Sequence, residues 1–299
     1  MKDGIIAAVG PGRILVSDGA WGTFLQKKGL KAGECPELWC LERRAEVLDV
    51  ARSYTAAGAD MVETNSFGAN RLKLEQYGLA DRAAEINEAA AGISREAAGD
   101  GRWVIASIGP TGKMLVTGEA SEEELYAAFK EQAMALAKGG ADALCIETMS
   151  AADEAAIAIR AARENTGCEV ICTFTFLKGA RGYRTMMGVG PAQAAQAAIQ
   201  AGAQIIGANC GNGMAQMIEV VKEMRGAAGA TPILVHANAG LPHNVNGVDV
   251  FPEGPEEMAA QVKALVEAGA GVVGGCCGTT PAHIQAIRRA VDTLPGTIQ

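Results

Sequence analysis

The sequence predicts an α/β fold: a single (β/α)8 barrel of the TIM type, with its active site at the C-terminal ends of the strands. Two observations carry the prediction. Eight short apolar runs alternate with helical segments along 299 residues, and strands separated by helices form a parallel sheet. A small-residue phrase also returns, as Ala57-Gly58-Ala59-Asp60, Gly139-Gly140-Ala141-Asp142, Ala201-Gly202-Ala203-Gln204 and Ala268-Gly269-Ala270-Gly271. Each copy closes an Ala-rich helical pattern, so its glycine reads as a left-handed helix stop with a strand beginning almost at once. The copies are unevenly spaced, which excludes a short solenoid and marks alternate units of a βα array.

The elements follow in order. Arg13–Ser17 opens the array, and Asp60–Glu63 follows the first copy of the phrase. Trp103–Ile108 is the third apolar run, and Ser121-Glu122-Glu123-Glu124 then starts a helix as a capping box. Ala143–Glu147, Glu169–Thr175, Gln204–Ala208, Pro232–His236 and Gly271–Gly274 complete the eight strands. Pro255 and Pro281 suit the first turn of the last two helices. An open doubly wound sheet would want a Gly-x-Gly-x-x-Gly turn after the first strand, whereas Gly10-Pro11-Gly12 precedes it. No linker-like tract divides residues 1–299, and one domain is expected.

Composition narrows the function. The net charge of −8 and 4% aromatic content leave no basic stripe or stacking platform for nucleic acid. No apolar run approaches the ~20 residues of a membrane helix. The start, Met1 to Ala7, has no long apolar core, so no signal peptide is read and cytoplasm is the expected location. Eight cysteines, two of them adjacent, suit metal or catalytic use in a reducing compartment.

Those adjacent cysteines are Cys276 and Cys277, in Gly274-Gly275-Cys276-Cys277-Gly278-Thr279-Thr280-Pro281; a third, Cys210, lies in Gly207-Ala208-Asn209-Cys210-Gly211. They fall just past the eighth and sixth strands. Three thiolates can hold a zinc ion and leave its fourth position to a substrate. Adjacent residues of a regular strand point to opposite faces, so the chain must turn at Cys276, with glycines supplying the freedom. The competing readings are three buried core cysteines or a vicinal redox pair. Cys145, Cys168 and Cys172 read as core or non-ligand positions, and Cys35 and Cys40 carry no assigned role.

Two carboxylates at strand ends, Asp18 and Glu147, could grip an ammonium group, with the amides of Gly19 and Ala20 left for a carboxylate. A helix cap and a loop-fixing hydrogen bond are the plainer alternatives. Glu63, Thr64 and Asn65 end the second strand in the same layer with open roles. His236 reads as a hydrogen-bonded structural residue, and His243 and His283 as surface residues. The Asn238 amide oxygen could fill the vacant zinc position until substrate arrives.

Together, Asp18-Gly19-Ala20-Trp21-Gly22-Thr23, Glu63-Thr64-Asn65-Ser66-Phe67, Glu147-Thr148, Asn209-Cys210 and Gly274 to Pro281 resemble the zinc-dependent homocysteine S-methyltransferase family. The resemblance runs from about Ile14 to Ile287. It implies zinc on Cys210, Cys276 and Cys277, and the homocysteine amino group on Asp18 and Glu147. His236 to Pro242 looks closest to the homocysteine module of cobalamin-dependent methionine synthase, where the asparagine matching Asn238 is linked to substrate-free zinc. It follows that a methyl group would pass to a zinc-activated homocysteine thiolate, giving methionine. The implied donor is a methylcorrinoid on a separate protein, since the corrinoid-binding Asp-x-His-x-x-Gly motif is absent. S-methylmethionine or S-adenosylmethionine, or a role as the corrinoid-linked demethylase component, are the alternatives. A scaffold that holds zinc and merely docks the corrinoid carrier is the non-enzymatic one. Tyr183 to Val189 replaces the small hydroxyl-rich turn of the synthase.

Overall fold

The computed structural model describes residues 3–10, 12–245 and 248–294. Met1, Lys2, Pro11 and the chain end at 295–299, which enter the readings above, lie outside the described residues. The predicted barrel is present. Its strands are β1 (Leu15–Val16), β2 (Met61–Glu63), β3 (Trp103–Ile108), β4 (Ala143–Met149), β5 (Glu169–Phe174), β6 (Ile205–Asn209), β7 (Ile233–Ala237) and β8 (Val272–Gly275). All the ladders are parallel, and they join the strands in the order β1-β8-β7-β6-β5-β4-β3-β2. An outer ring of helices alternates with them: α1 (Arg44–Ala56), α2 (Ala83–Ala98), α3 (Glu122–Lys138), α4 (Ala152–Asn165), α5 (Pro191–Ala201), α6 (Met214–Ala228), α7 (Pro255–Ala259, resumed at Val262–Glu267) and α8 (Pro281–Asp292). The Ser121–Glu124 capping box forms as expected, and Pro255 and Pro281 open their helices.

Between β1 and β2 the ring is closed largely by side chains. The Asp60 carboxylate accepts the Val16 N–H at 2.7 Å, while the Asp60 N–H donates to the Val16 carbonyl at 2.7 Å. Higher up, the Asp18 carboxylate accepts the Glu63 N–H at 2.8 Å.

The recurring phrase is a structural repeat. Gly58, Gly140, Gly202 and Gly269 have φ of 96°, 104°, 106° and 119°, the left-handed region that stops each helix. The residue two places on then hooks its strand to the preceding one. Asp142 exchanges two bonds with Val104 (2.9 and 2.7 Å), and Gln204 exchanges two with Val170 (2.8 and 3.1 Å). The fourth copy ends in Gly271, which has no side chain and keeps only its N–H bond to Ile233 at 2.8 Å.

Strand alternation divides the barrel into layers. Val16, Val62, Val104, Leu144, Val170, Ile206, Val235 and Val273 face the helices. Leu15, Met61, Ile105, Ala143, Cys145, Ile171, Ile205, Leu234 and Val272 fill the lower interior, plugged from below by Ile5 and Ala8 of a short helix. Burying each large aliphatic side chain contributes roughly 1.5–3 kcal/mol. At the upper end the inward positions turn polar: Glu63, Ser107, Glu147, Thr173, Asn209 and His236. β4 runs two residues past its expected end at Glu147. Its register shifts after Ile146 and pairing resumes at Met149 with Phe174, across Thr148, whose φ is 60°. β1 is shorter than expected, two residues long.

Candidate active site

The three sulfurs meet at the upper rim. Cys210 Sγ lies 3.8 Å from Cys277 Sγ, Cys276 Sγ lies 4.0 Å from Cys277 Sγ, and all three ligand atoms fall within 4.8 Å of one another. The backbone sets this spacing. Cys210 adopts φ of 58° directly after β6, with its N–H donated to the His236 carbonyl at 3.0 Å. Cys276 donates its N–H to the Ala237 carbonyl at 2.7 Å, and the Cys277 carbonyl accepts the Ala239 N–H at 3.0 Å. The expected turn follows at Gly278 (φ 82°). The Thr279 hydroxyl closes it by donating to the Cys276 carbonyl at 2.8 Å.

The donor set fits a tetrahedral thiophilic ion. Zn–S bonds of about 2.3 Å put sulfurs about 3.8 Å apart, close to the 3.8 and 4.0 Å seen here. Asn238 stands behind the cluster: its side chain hydrogen-bonds Cys210, while its buried Oδ1 has no partner. Hydrogen bonds from Cys276 and then Cys277 pull the Cys210 thiol down to about 3, and these bonds raise the two donors in turn. Elsewhere burial does the opposite: it pushes Cys35 up to about 12 and raises Cys40, Cys145 and Cys172.

Beside the sulfurs lies a cavity of about 330 Å³. Its walls include Gly19, Ala20, Trp21, Glu37, Glu63, Ser107, Glu147, His236, Cys210, Cys276 and Cys277. Glu147 is buried, with Oε1 accepting from the Ser107 hydroxyl and Oε2 accepting from Asn209 Nδ2 at 3.0 Å. Asp18 is also buried but is not part of the cavity wall. Its Oδ2 takes the Trp21 Nε1–H at 2.9 Å and the Glu63 N–H at 2.8 Å. Gly19 and Ala20 line the cavity, yet the Ala20 N–H is donated to Thr279 Oγ1 at 3.0 Å, so that amide is not free for a carboxylate as expected.

Burial raises Asp18 to about 7 and Glu147 to about 7. It also lifts Glu63 well above the carboxylate range, with the charges of Glu147 and Asp18 adding to the rise. His236 is lowered to about 4 by burial and is neutral, so its Nδ1, 3.5 Å from Glu63 Oε1, does not neutralise that carboxyl. Among the described residues no cationic side chain offsets these three acidic groups, which favours a positively charged guest.

Several expectations are revised. His283 is buried rather than a surface residue: its Nδ1 caps the α8 start at Thr280 and its Nε2 meets the Glu253 carbonyl at 3.0 Å. His236, expected to be a hydrogen-bonded structural residue, is buried with no hydrogen-bond partner on its Nε2. None of residues 183–189 lines the cavity; Tyr183 and Thr185 are buried in and beside a hairpin above β5. Glu37 was overlooked. It reaches the cavity from the first βα loop, where its carboxylate accepts the Gly68 N–H at 2.6 Å. Ser107 was overlooked as well, and Asn209 entered only within the Asn209-Cys210 motif without a role, though the inward-facing period of two through Gly207/Asn209 and Ile105/Ser107 points to them.

Comparison with known proteins bears on this site. A sequence profile described as homocysteine S-methyltransferase matches residues 15–291. Methionine synthase of Mycobacterium tuberculosis is 34% identical over 300 residues, and that of Mycobacterium leprae 34% over 298. These alignments take in 94% and 93% of this chain but only 25% and 24% of the relatives, so the chain spans about a quarter of their length. The metallated form of the Escherichia coli homocysteine methyltransferase MmuM superposes with a TM-score of 0.75 at 23% identity, covering 92% of this chain and 96% of that one, a likeness of fold.

Proposed function

Because the chain belongs to the homocysteine S-methyltransferase family, we propose that it transfers a methyl group to the thiol of homocysteine, giving methionine. The observation that carries the reading is the triad of sulfurs set against an acidic cavity. Cys210, Cys276 and Cys277 would hold a zinc ion. When bound, zinc keeps a coordinating thiol deprotonated at neutral pH, where a free alkyl thiol is only a few per cent ionised.

The rest is done by the protein's own groups. Glu147, Glu63 and Asp18 supply the negative surroundings for the substrate ammonium, and Glu147 meets it directly. Glu63 Oε1, buried on the cavity wall without a hydrogen bond, is a second acceptor for it. Asp18 acts from behind by holding the Glu63 backbone and the Trp21 ring in place. Fixing the amino acid at its ammonium end aims its sulfur along one line, which lowers the entropic part of the barrier. Asn238, whose side chain hydrogen-bonds Cys210 and whose buried Oδ1 has no partner, would fill the fourth metal position before substrate binds.

The favoured donor is a methylcorrinoid carried by another protein or module, supported by the likeness to a quarter of methionine synthase. Sulfonium donors are the second reading. Cobalt(II) substituted at the cluster tests the proposal. Homocysteine should shift its ligand-field spectrum, and methylcobalamin, S-methylmethionine, S-adenosylmethionine and methoxylated compounds should then be compared for methionine formation or methyl loss. A spectrum unmoved by homocysteine would refute direct thiol coordination.

A further inference from the structure

We propose that Asn209 is a positioning residue that ties the Cys210 arm of the thiol cluster to the Glu147 carboxylate, and so sets affinity for the substrate's ammonium group. This deepens the reading above, on which it rests. Asn209 is fully buried at the end of β6, immediately before Cys210. Its Nδ2 donates to Glu147 Oε2 at 3.0 Å and to Thr148 Oγ1 at 2.7 Å. Its Oδ1 accepts the Thr148 N–H at 2.8 Å and the Thr173 hydroxyl at 2.7 Å. A primary amide has two N–H donors and two lone pairs, so all of its capacity is used.

The ends of β4, β5 and β6 therefore meet on one side chain. Thr148 and Cys210 are the non-glycine residues of positive φ among the described residues, at 60° and 58°. Such conformations persist where surrounding bonds over-determine them. Asn209 holds Thr148 through its amide, and it shares a peptide bond with Cys210. Fixing Cys210 Sγ in a coordination sphere fixes the backbone from which Asn209 projects, and Asn209 passes that constraint to Glu147. The Ser107 hydroxyl holds the other Glu147 oxygen, leaving the carboxylate one orientation toward the cavity.

The test uses zinc-loaded protein and calorimetric titration with two thiols: homocysteine, and 4-mercaptobutanoate, which has the same chain without the ammonium. Asn209→Asp keeps the shape and both acceptor bonds but turns an oxygen toward Glu147; Asn209→Ser removes the bridge. Both variants should retain the wild-type zinc ratio. Homocysteine should weaken about 10- to 100-fold, the worth of a hydrogen bond to a charged group, with 4-mercaptobutanoate nearly unchanged. Thr173→Val, a milder loss of one bond to Asn209, should show the same split at smaller size and serves if the other variants fail to fold. Equal weakening of both thiols, loss of zinc, or no change would overturn the positioning role. A wild-type protein that binds the two thiols equally would instead overturn the ammonium reading beneath it, and the proposal with it.

Discussion

Raising the pH should weaken the metal-free protein, and Asp18→Asn should remove the share of that weakening that Asp18 contributes. Asp18 ionises near 3.8 in an unfolded chain but is lifted to about 7 in the fold, chiefly by burial. Between these values the native state keeps a proton that the unfolded state has lost, so stability falls as pH rises through the window. The contribution is whole below about pH 4 and gone above about pH 7. About three pK units at 1.36 kcal/mol each give about 4 kcal/mol from Asp18. The asparagine variant is a fair probe because both strong bonds to Asp18, from Trp21 and Glu63, fall on Oδ2. Its amide oxygen can take them while the NH2 turns toward the Ser17 hydroxyl. Urea unfolding of both proteins at about pH 4.5, 6, 7 and 8 is the assay, and the variant should gain on the wild type by about 3 kcal/mol across the series, since about 1 kcal/mol is already lost at pH 4.5. A difference that stays constant with pH would refute the reasoning. Saturating methionine, whose ammonium supplies the missing counter-charge, should stabilise the wild type more at the alkaline end.

Other perturbations test other parts of the site. Cys276→Ser or Cys277→Ser should abolish stoichiometric zinc binding and methyl transfer together, read by metal analysis and product formation. Glu63→Gln removes a carboxylate whose Oε1 has no hydrogen bond; homocysteine KM should rise about tenfold with zinc content intact. Gly207→Ala would put a Cβ 1.9 Å from the Leu234 carbonyl of the next strand. Backbone cannot yield as a side chain does, so a cost of about 3 kcal/mol or more is expected in urea unfolding.

The barrel was legible because its signals are periodic. Gly58, Gly140, Gly202 and Gly269 do take positive φ, and a strand follows each. The sulfur cluster was legible because three cysteines at strand ends have few reasons to sit in glycine-rich turns. The wall of the cavity was harder. Glu63 and Glu147 both face inward, but burial and mutual repulsion, which make them sites for a cation, depend on neighbours from other strands. Asp18 was legible as a site candidate because it ends a strand at the barrel mouth; its bonds to Glu63 and Trp21 are a tertiary fact. His283 looked exposed because nothing local shows that the Glu253 carbonyl will cover it. The partners of the Ala20 amide could not be read either, since Thr279 is 259 residues away.

The join between β1 and β2 has a consequence for how the molecule breathes. A ladder of peptide groups is indifferent to the residues it links, but this joint depends on the acids at positions 18 and 60. Protonation, substitution or an arriving cation can act on it without touching the other seven ladders. Amide exchange should therefore start along that line, and because the same acid that fastens the joint also backs the pocket, a bound amino acid would tighten the cylinder at its loosest stave.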